Sequence, residues 1–202
     1  MSLALFNEIQ QHLLNDANPS QYLEQASQTE AFIKPPFSVL LRLKKTEQSP
    51  VHHPEGNVWN HTMLVVDEAA KRRVESKNPA ALMWAALLHD IGKPDTTKVR
   101  RGKITAYEHD TTGAVLAKRF LSACTEDEAL IRAVCSLVRY HMHMLYVLKN
   151  LPFQDLPGLK READLQELAL FCLCDRLGRL NPDITAEEQN RQTFLKKLIA
   201  AH

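Results

Sequence analysis

The chain has 202 residues, of which 45% are hydrophobic and 24% are charged, and this composition is typical of a protein with a packed core rather than of a disordered chain. Its formal net charge at pH 7 is +1, so charge alone does not indicate a nucleic-acid or membrane partner, although it does not exclude nucleic acid. No apolar stretch is long enough to span a bilayer, and the segment MSLALFNEIQQHLLND lacks the basic region of a signal peptide.

Helical periodicity extends over most of the chain, which contains only six glycines, and it predicts an all-α fold. Pro19 is a start signal for the second helix, the segment KPPF breaks the helical pattern, and Asn57 is expected to cap the helix that follows a loop over 47–57. The predicted helices are, in chain order, 3–15, 19–32, 58–75, 79–90, 109–123, 126–148, 162–180 and 185–200, with a further segment around 37–46.

The chain between the helices gives no indication of a second domain. The segment KPDTTKVRRGKITAYEHD is predicted to be a long polar loop that has room for a hairpin turn at Arg101-Gly102. We find no repeat, no low-complexity segment and no linker, so residues 1–202 are expected to form one domain. The four cysteines lie within helical patterns and lack zinc-finger spacing, which is typical of reduced core residues of a cytoplasmic protein.

Polar side chains interrupt the apolar faces of five predicted helices or helix ends. Each of these faces carries one imidazole or carboxylate: His61, His89, His109, His141 and Asp175. Taken singly, a histidine on an apolar face is more often a hydrogen-bonded core residue than a ligand, and Asp175 could pair with a nearby arginine.

Taken together, these side chains favour a shared metal site. With Asp90 there are six polar groups that are expected to be buried, and the sequence offers few separate hydrogen-bond or ion-pair partners for them. A single divalent metal site would instead bind the imidazole nitrogens and carboxylate oxygens together. Six ligands exceed the needs of one tetrahedral zinc ion. They fit two metals, with Asp90 as the expected bridge because its neighbour His89 is also a candidate ligand.

The order of these residues resembles the HD superfamily of metal-dependent phosphohydrolases. His61, the pair His89-Asp90 and Asp175 follow the HD pattern, and His109 and His141 fall where two-metal branches of the superfamily place further histidines. HPEGNVWNHTMLVVD, LLHDIGKPDTT and CDRLGR resemble, more closely, the HD domain attached to some bacterial tRNA nucleotidyltransferases. This resemblance covers about residues 51–180, and residues 1–50 are too short and too helical to supply the nucleotidyltransferase head.

The resemblance implies an HD-domain-like helical bundle with hydrolase activity. We expect hydrolysis of a phosphoester, of a nucleotide or a similar small phosphorylated molecule, by a metal-bound hydroxide. One or two divalent ions among Mn, Fe, Co, Ni, Mg and Zn are implied. His61, His89, Asp90 and Asp175 would hold the first, and Asp90, His109 and His141 would hold the second.

Other residues are assigned from their position near the metal pair. Lys93 follows Asp90 by one turn and is expected to contact a phosphate oxygen, so Asp90 and Lys93 are the predicted catalytic residues. Arg139, Arg176 and His143 are candidates for substrate binding, although either arginine could instead pair with a carboxylate. Glu55 and Thr62 flank His61 and could orient it. His52 and His53 precede Pro54 in a loop and could approach the site, although loop histidines are usually only solvated.

Three other functions stay open at this point. Some HD-type proteins use a di-iron pair to activate oxygen, with nearly the same ligands. A metal-stabilised module that binds nucleotides without turnover would also need the ligand set, but it would not need Lys93. An ordinary helical protein with core histidines would bind no stoichiometric metal.

Overall fold

A computed structural model describes residues 2–100 and 102–200, excluding the side chain of Ser2, and the all-α prediction is confirmed. Besides the helices, this part of the chain contains one two-stranded hairpin and two 3-10 helices, Phe37–Lys45 and Arg73–Glu75. The α-helices are α1 (Ser2–Asn15), α2 (Pro19–Ala26), α3 (Val58–Arg72), α4 (Pro79–Leu88), α5 (Lys93–Thr96), α6 (His109–Ser122), α7 (Glu128–Tyr140), α8 (His143–Leu148), α9 (Leu156–Glu162), α10 (Leu165–Leu177) and α11 (Ile184–Ala200).

Helix α4 lies at the centre of the fold. Its sequence, PAALMWAALL, has no polar face, and every residue from Ala81 to Leu88 is buried, as expected for a helix that is surrounded on all sides. The Asn78 side chain caps its N-terminus by accepting a hydrogen bond from the backbone N–H of Ala81. Helices α1, α3, α7 and α10 pack around α4, so the residues at its C-terminal end lie among several elements.

The helix predicted over 126–148 is divided into α7 and α8. At the break, the carbonyl oxygen of Val138 accepts a hydrogen bond from the His141 ring, and the carbonyl oxygen of His141 accepts one from the Cys172 thiol. Side-chain donors therefore bind carbonyl oxygens that a continuous helix would use for its own N–H groups. The break puts His141 directly after α7 and His143 at the start of α8.

Two further boundaries differ from the prediction. Helix α2 ends at Ala26 and is followed by turns, and α9 precedes α10 as a separate helix that the periodicity did not indicate. Asp155 caps α9 and Asp164 caps α10, each accepting backbone hydrogen bonds through its carboxylate. The sequence signal for α9 was Asp155 followed by Pro157, a cap and a proline in the first turn.

The polar loop after α5 contains the small hairpin that the sequence could accommodate. Strands β1 (Lys98–Arg100) and β2 (Lys103–Thr105) pair antiparallel, with Val99 opposite Ile104. Gly102 has φ +74° in the turn, and the other predicted turn residue, Arg101, lies outside the described residues. Among the helices of residues 2–100 and 102–200, none is both long and apolar enough to cross a membrane.

Two glycines let backbones approach each other around the centre. A Cβ atom at Gly92, directly before α5, would lie 2.2 Å from the carbonyl oxygen of His109. A Cβ atom at Gly178, directly after α10, would lie 2.8 Å from the backbone nitrogen of Val65 in α3. Since only glycine lacks this atom, both positions allow contacts that another residue would prevent.

Candidate metal centre

The six side chains predicted to bind metal converge at the C-terminal end of α4. They are contributed by α3, the end of α4, the start of α6, the end of α7 and α10, and all are buried: His61, His89, Asp90, His109, His141 and Asp175. The amphipathic pattern of the separate helices thus brings these groups to one place.

Three of the four imidazoles are oriented by a backbone carbonyl group three residues earlier in the chain. Nδ1 of His89 lies 3.0 Å from the carbonyl oxygen of Ala86. The corresponding distance is 2.7 Å from His109 to Ala106 and 2.7 Å from His141 to Val138. A carbonyl oxygen can only accept, so each Nδ1 must carry the proton, and each neutral ring then has a lone pair on Nε2.

His61 reaches the same state through more distant partners. Its Nδ1 lies 3.0 Å from the carbonyl oxygen of Gly178 and 3.0 Å from Oε1 of Glu55. Both oxygens are acceptors, so Nδ1 again donates, and Nε2 is the free ligand atom.

The four Nε2 atoms face one another and the two carboxylates. Nε2 of His61 lies 2.9 Å from Oδ1 of Asp175, and Nε2 of His89 lies 3.2 Å from Oδ2 of Asp90. Nε2 of His109 lies 3.1 Å from Nε2 of His141. Buried acceptors that face acceptors repel each other unless a cation lies between them.

Hydrogen bonds and ion pairs among the described residues do not compensate every one of these buried groups. Nε2 of His89 and Oδ1 of Asp90 are buried without a hydrogen-bond partner there, whereas Oδ2 of Asp90 lies 2.7 Å from the ammonium group of Lys93. Nitrogen and oxygen donors in this number fit a divalent transition metal, so the cluster is able to hold one.

Asp90 lies at the junction of two potential sites. The first group consists of His61, His89 and Asp90 and the second of Asp90, His109 and His141, while a third group, without Asp90, consists of His53, Glu55 and His61. Within each group the ligand atoms lie within 4.8 Å of one another. Asp175 adjoins the first group, because its Oδ1 is also 3.9 Å from Nε2 of His89. Asp90 therefore belongs to both the first and the second group, and its role as a bridging carboxylate stays a prediction.

The pKa shifts of Asp90, His109 and His141 favour the protonation states that a metal requires, whereas the shift of His61 favours its charged form. Burial would raise the pKa of Asp90, but electrostatic interactions with the adjacent His89 and Lys93 side chains outweigh burial and hold it well below its ordinary value. Burial lowers the pKa of His109 to about 4 and also lowers that of His141. Burial opposes charge on His61 as well, but hydrogen bonds to Asp175 and Glu55 raise its pKa.

The predicted catalytic lysine adjoins the cluster. The Lys93 side chain is almost buried, its Nζ lies 2.7 Å from Oδ2 of Asp90, and it donates a hydrogen bond to Oε1 of Gln48. Among the predicted substrate-binding residues, Arg139 is half-buried and lies 3.4 Å from the carboxylate of Asp110, which directly follows His109.

The other two predicted substrate-binding residues are held by protein contacts. Arg176 forms a bidentate ion pair with Glu187 of α11, which is the carboxylate pairing that the sequence left open. His143 is fully buried, and its Nε2 accepts a hydrogen bond from the backbone N–H of Asp155 at 3.1 Å. These contacts favour structural roles for both residues.

Of the two loop histidines that the sequence left open, His53 approaches the centre. Although it lies in a loop, its side chain is only 14% exposed, its Nδ1 lies 2.9 Å from Oε1 of Glu55, and its ring centroid is 4.7 Å from that of His61. Burial lowers the pKa of His53 to about 4. The signal in the sequence was its spacing of two residues from Glu55, which itself contacts His61.

Comparisons with known proteins agree with this geometry. The sequence profile of the HD domain family matches residues 58–180. The multifunctional CCA protein of Actinobacillus pleuropneumoniae serotype 5b is 30% identical over 176 residues, which cover 81% of this chain and 40% of the relative. The multifunctional CCA protein of Alkalilimnicola ehrlichii is 35% identical over 147 residues, 69% of this chain and 34% of the relative. The multifunctional CCA protein of Mannheimia succiniciproducens is 29% identical over 194 residues, which cover 92% of this chain and 45% of the relative. The chain thus spans less than half the length of these relatives.

Proposed function

Because the family profile covers more than half of it, the chain belongs to the HD domain family, and from this premise we propose that it is a metal-dependent phosphohydrolase. HD domains form a superfamily of such enzymes. The observation that carries the proposal is the cluster of four imidazoles and two carboxylates whose lone pairs face one another in the interior. We propose that this cluster holds one or two divalent ions, with Asp90 between them.

A bound divalent metal lowers the pKa of water towards about 7 and neutralises charge on phosphoryl oxygens. The residues of the chain prepare the site for it. Asp90 and Asp175 supply ionised carboxylates, and the Nδ1 hydrogen bonds of the four histidines orient their Nε2 atoms towards the ion. The burial of all six groups keeps competing solvent away from the ligand atoms.

Lys93 is the proposed contact to the reacting phosphate. Its ammonium group is held beside Asp90 by two acceptors, so it keeps a positive charge at the edge of the cluster without depending on solvent. A metal that binds Asp90 would compete for the same carboxylate, which would leave Lys93 able to bind a phosphoryl oxygen. We propose Arg139 as a second anion contact because its side chain is 30% exposed and its partner, Asp110, directly follows the candidate ligand His109.

The substrate class is proposed from the family and the relatives together. A small phosphorylated molecule, and a nucleotide in particular, fits a hydrolase whose relatives are named multifunctional CCA proteins. A nucleic-acid substrate belongs to the same chemistry. The cytoplasmic location also stays a prediction, which the four free cysteines support.

The first experiment measures metal per chain by elemental analysis, on the wild type and on Asp90→Asn purified without chelator. We expect one or two equivalents in the wild type and a loss in the variant, because the substitution removes the shared carboxylate charge. Asp95→Asn is the matched control, since Asp95 lies five residues away and pairs with Arg42 on the surface.

The second experiment tests the reaction. The wild type, loaded in turn with Mn, Co, Ni, Mg and Zn, is assayed for phosphate release from 2′-, 3′- and 5′-nucleotides and from their cyclic forms. Release that requires metal and disappears in Asp90→Asn would support the proposal. A wild type that takes up no metal, even after reconstitution, would contradict it. Iron with oxygen uptake would favour a di-iron oxygenase instead.

A further inference from the structure

A cavity of about 590 Å³ lies beside the candidate metal centre and is not used by the reaction proposed above. It is formed by the end of the first 3-10 helix, the loop over 46–57 and Ile104 of the hairpin. Its volume is within the range of about 300–1,000 Å³ that is typical of small-molecule sites. A phosphate group would fill only a small part of it, since one water molecule takes about 30 Å³.

Two series of side-chain contacts connect the cavity wall to the metal cluster. Gln48 lines the cavity and accepts a hydrogen bond from Lys93, which pairs with Asp90. His53 also lines the cavity, and it is hydrogen-bonded to Glu55, which in turn contacts His61. A ligand that places its phosphate near Asp90 and Lys93 would therefore bring its remaining atoms towards these two residues.

Both residues have a polar atom without a partner. Gln48 is 93% buried, and its Nε2 is buried without an acceptor among the described residues. Because Lys93 donates a hydrogen bond to the amide oxygen of Gln48, the unpaired atom of that amide is the nitrogen, which is a donor. The Glu55 carboxylate fixes the proton of His53 on Nδ1, and Nε2 makes no hydrogen bond in the described part of the chain. A buried polar atom without a partner, such as Nε2 of Gln48, is rare unless a ligand or water completes it.

We propose that this cavity binds the part of the substrate beyond its reacting phosphate, and that Nε2 of Gln48 and Nε2 of His53 hydrogen-bond to it. The inference rests on the proposed phosphohydrolase function and specifies its substrate. The rim carries both signs of charge, Lys45 and Glu47, while Lys44 is paired with Glu24. The site thus suits a neutral, hydrogen-bonding group of nucleoside size better than a second phosphate.

The test compares two ligands that share a phosphoryl group and cannot be hydrolysed. One is methylphosphonate, and the other is the analogue of adenosine monophosphate in which CH₂ replaces the ester oxygen. Binding of each to metal-loaded protein is measured by calorimetry on the wild type, His53→Asn and His52→Asn. Asparagine places its Nδ2 where His53 has Nδ1, so the bond to Glu55 is kept and Nε2 is lost. His52 is the matched control because it is the exposed neighbour on the same loop.

We expect His53→Asn to bind the nucleoside phosphonate about tenfold more weakly, as the loss of one hydrogen bond predicts, and to bind methylphosphonate like the wild type. His52→Asn should match the wild type for both. A second variant, His53→Gln, places its amide near the lost Nε2 and should recover most of the affinity.

Other outcomes would overturn the inference. Equal affinity of His53→Asn and His52→Asn for the nucleoside phosphonate would exclude the contact. An equal loss for both phosphonates would show that His53 acts through the metal cluster instead of the cavity. The proposed function fails separately: if the wild type binds both phosphonates but hydrolyses no phosphoester, the hydrolase is excluded while the binding comparison still decides the cavity's role.

Discussion

At the scale of single residues, the centre depends on which nitrogen of each histidine carries the proton. All four Nδ1 atoms donate to an oxygen that can only accept, and all four Nε2 atoms are therefore directed, as lone pairs, to the same region. For His61 the acceptor includes the Glu55 carboxylate, whose side chain is only 2% exposed. A carboxylate in this position fixes the ring and increases the basicity of the ligand nitrogen.

We predict that Glu55→Gln weakens metal binding about 10- to 100-fold, because the amide is neutral and no longer increases the basicity of His61. Competition with a chromogenic chelator measures the affinity. Glu47→Gln, on the same loop but exposed, should bind metal like the wild type. Unchanged affinity in Glu55→Gln would show that the bond to Gly178 is sufficient to orient His61.

The residues of the centre could be predicted from the sequence to the extent that they lie on or directly beside regular helices. A period of 3.6 residues assigns His61 and Asp175 to apolar faces without any knowledge of the tertiary structure. His53 could not be placed in this way, because a loop has no period and the approach of its ring to His61 depends on the path of residues 46–57.

At the scale of elements, close backbone approaches set the distance between the parts of the centre. The turn that contains Gly92 packs against the first turn of α6, which begins at His109. The residue after α10, Gly178, packs against Val65 of α3 in the same manner. These contacts involve main-chain atoms, which cannot move aside as a flexible side chain would.

We therefore predict that Gly92→Ala lowers the free energy of unfolding by about 3 kcal/mol, the upper end of the usual cost of overpacking. Urea denaturation measures it. Gly113→Ala is the matched comparison on the other side of this contact. Its Cβ would meet its nearest neighbours at 3.3 Å, and alanine gains about 0.5–1 kcal/mol in a helix, so the net loss should be smaller. Wild-type stability in Gly92→Ala would contradict the packing described here.

The ion pair between Arg176 and Glu187 connects α10 to α11 and should make stability depend on pH. Burial would raise the pKa of Glu187, but hydrogen bonds from Arg176 and Asn190 lower it below its ordinary value of 4.5. A carboxylate with a lowered pKa contributes its full stabilisation above the unfolded value, and the contribution is lost as pH falls through the folded value.

We predict that Glu187→Gln lowers the free energy of unfolding at pH 7 by about 1 kcal/mol, since the pair is only partly buried. The difference from the wild type should shrink as the pH is reduced below 4.5. Urea denaturation at pH 7, 5 and 3.5 checks both statements. Glu188→Gln, one residue further along α11, should have little effect at any pH, and a constant difference for Glu187→Gln would refute the ionic contribution.

At the scale of the whole molecule, the candidate centre joins five elements that are distant in the sequence. The chain between His61 and Asp175 contributes every proposed ligand, and the unfolded chain would not hold these groups together. Metal binding should therefore stabilise the fold through mass action, because the ion binds the native state far better than the unfolded one.

We predict that a metal at 100 times its dissociation constant adds about 2.7 kcal/mol to the free energy of unfolding. For a chain of this size this corresponds to a rise in Tm of about 5–10 °C. Thermal unfolding followed by circular dichroism, with metal and after chelation, gives the shift. Asp175→Asn should show a smaller shift, and identical melting of the chelated and metal-loaded wild type would exclude a native metal site.

The helical class could be predicted because periodicity is a local property, whereas several boundaries could not. Helix α9 and the break between α7 and α8 depend on side chains that bind the backbone, Asp155 in one case and His141 in the other. The sequence pattern of 126–148 is compatible with one continuous helix. Tertiary contacts, among them the thiol of Cys172 on the His141 carbonyl, decide where it ends.

The local orientation of His89, His109 and His141 has a consequence for how such a protein can diverge. Each ring is oriented by a carbonyl group within its own four-residue segment. The residues that orient each ligand are therefore contained in one short segment of the chain. Insertions, deletions or substitutions in the chain that connects these segments can then accumulate without changing the orientation of these three histidines. The hairpin over 98–105 lies in such an interval and contributes Ile104 to the neighbouring cavity. Evolution, or an engineer grafting a different loop, could therefore alter the specificity of the protein while its chemistry is retained.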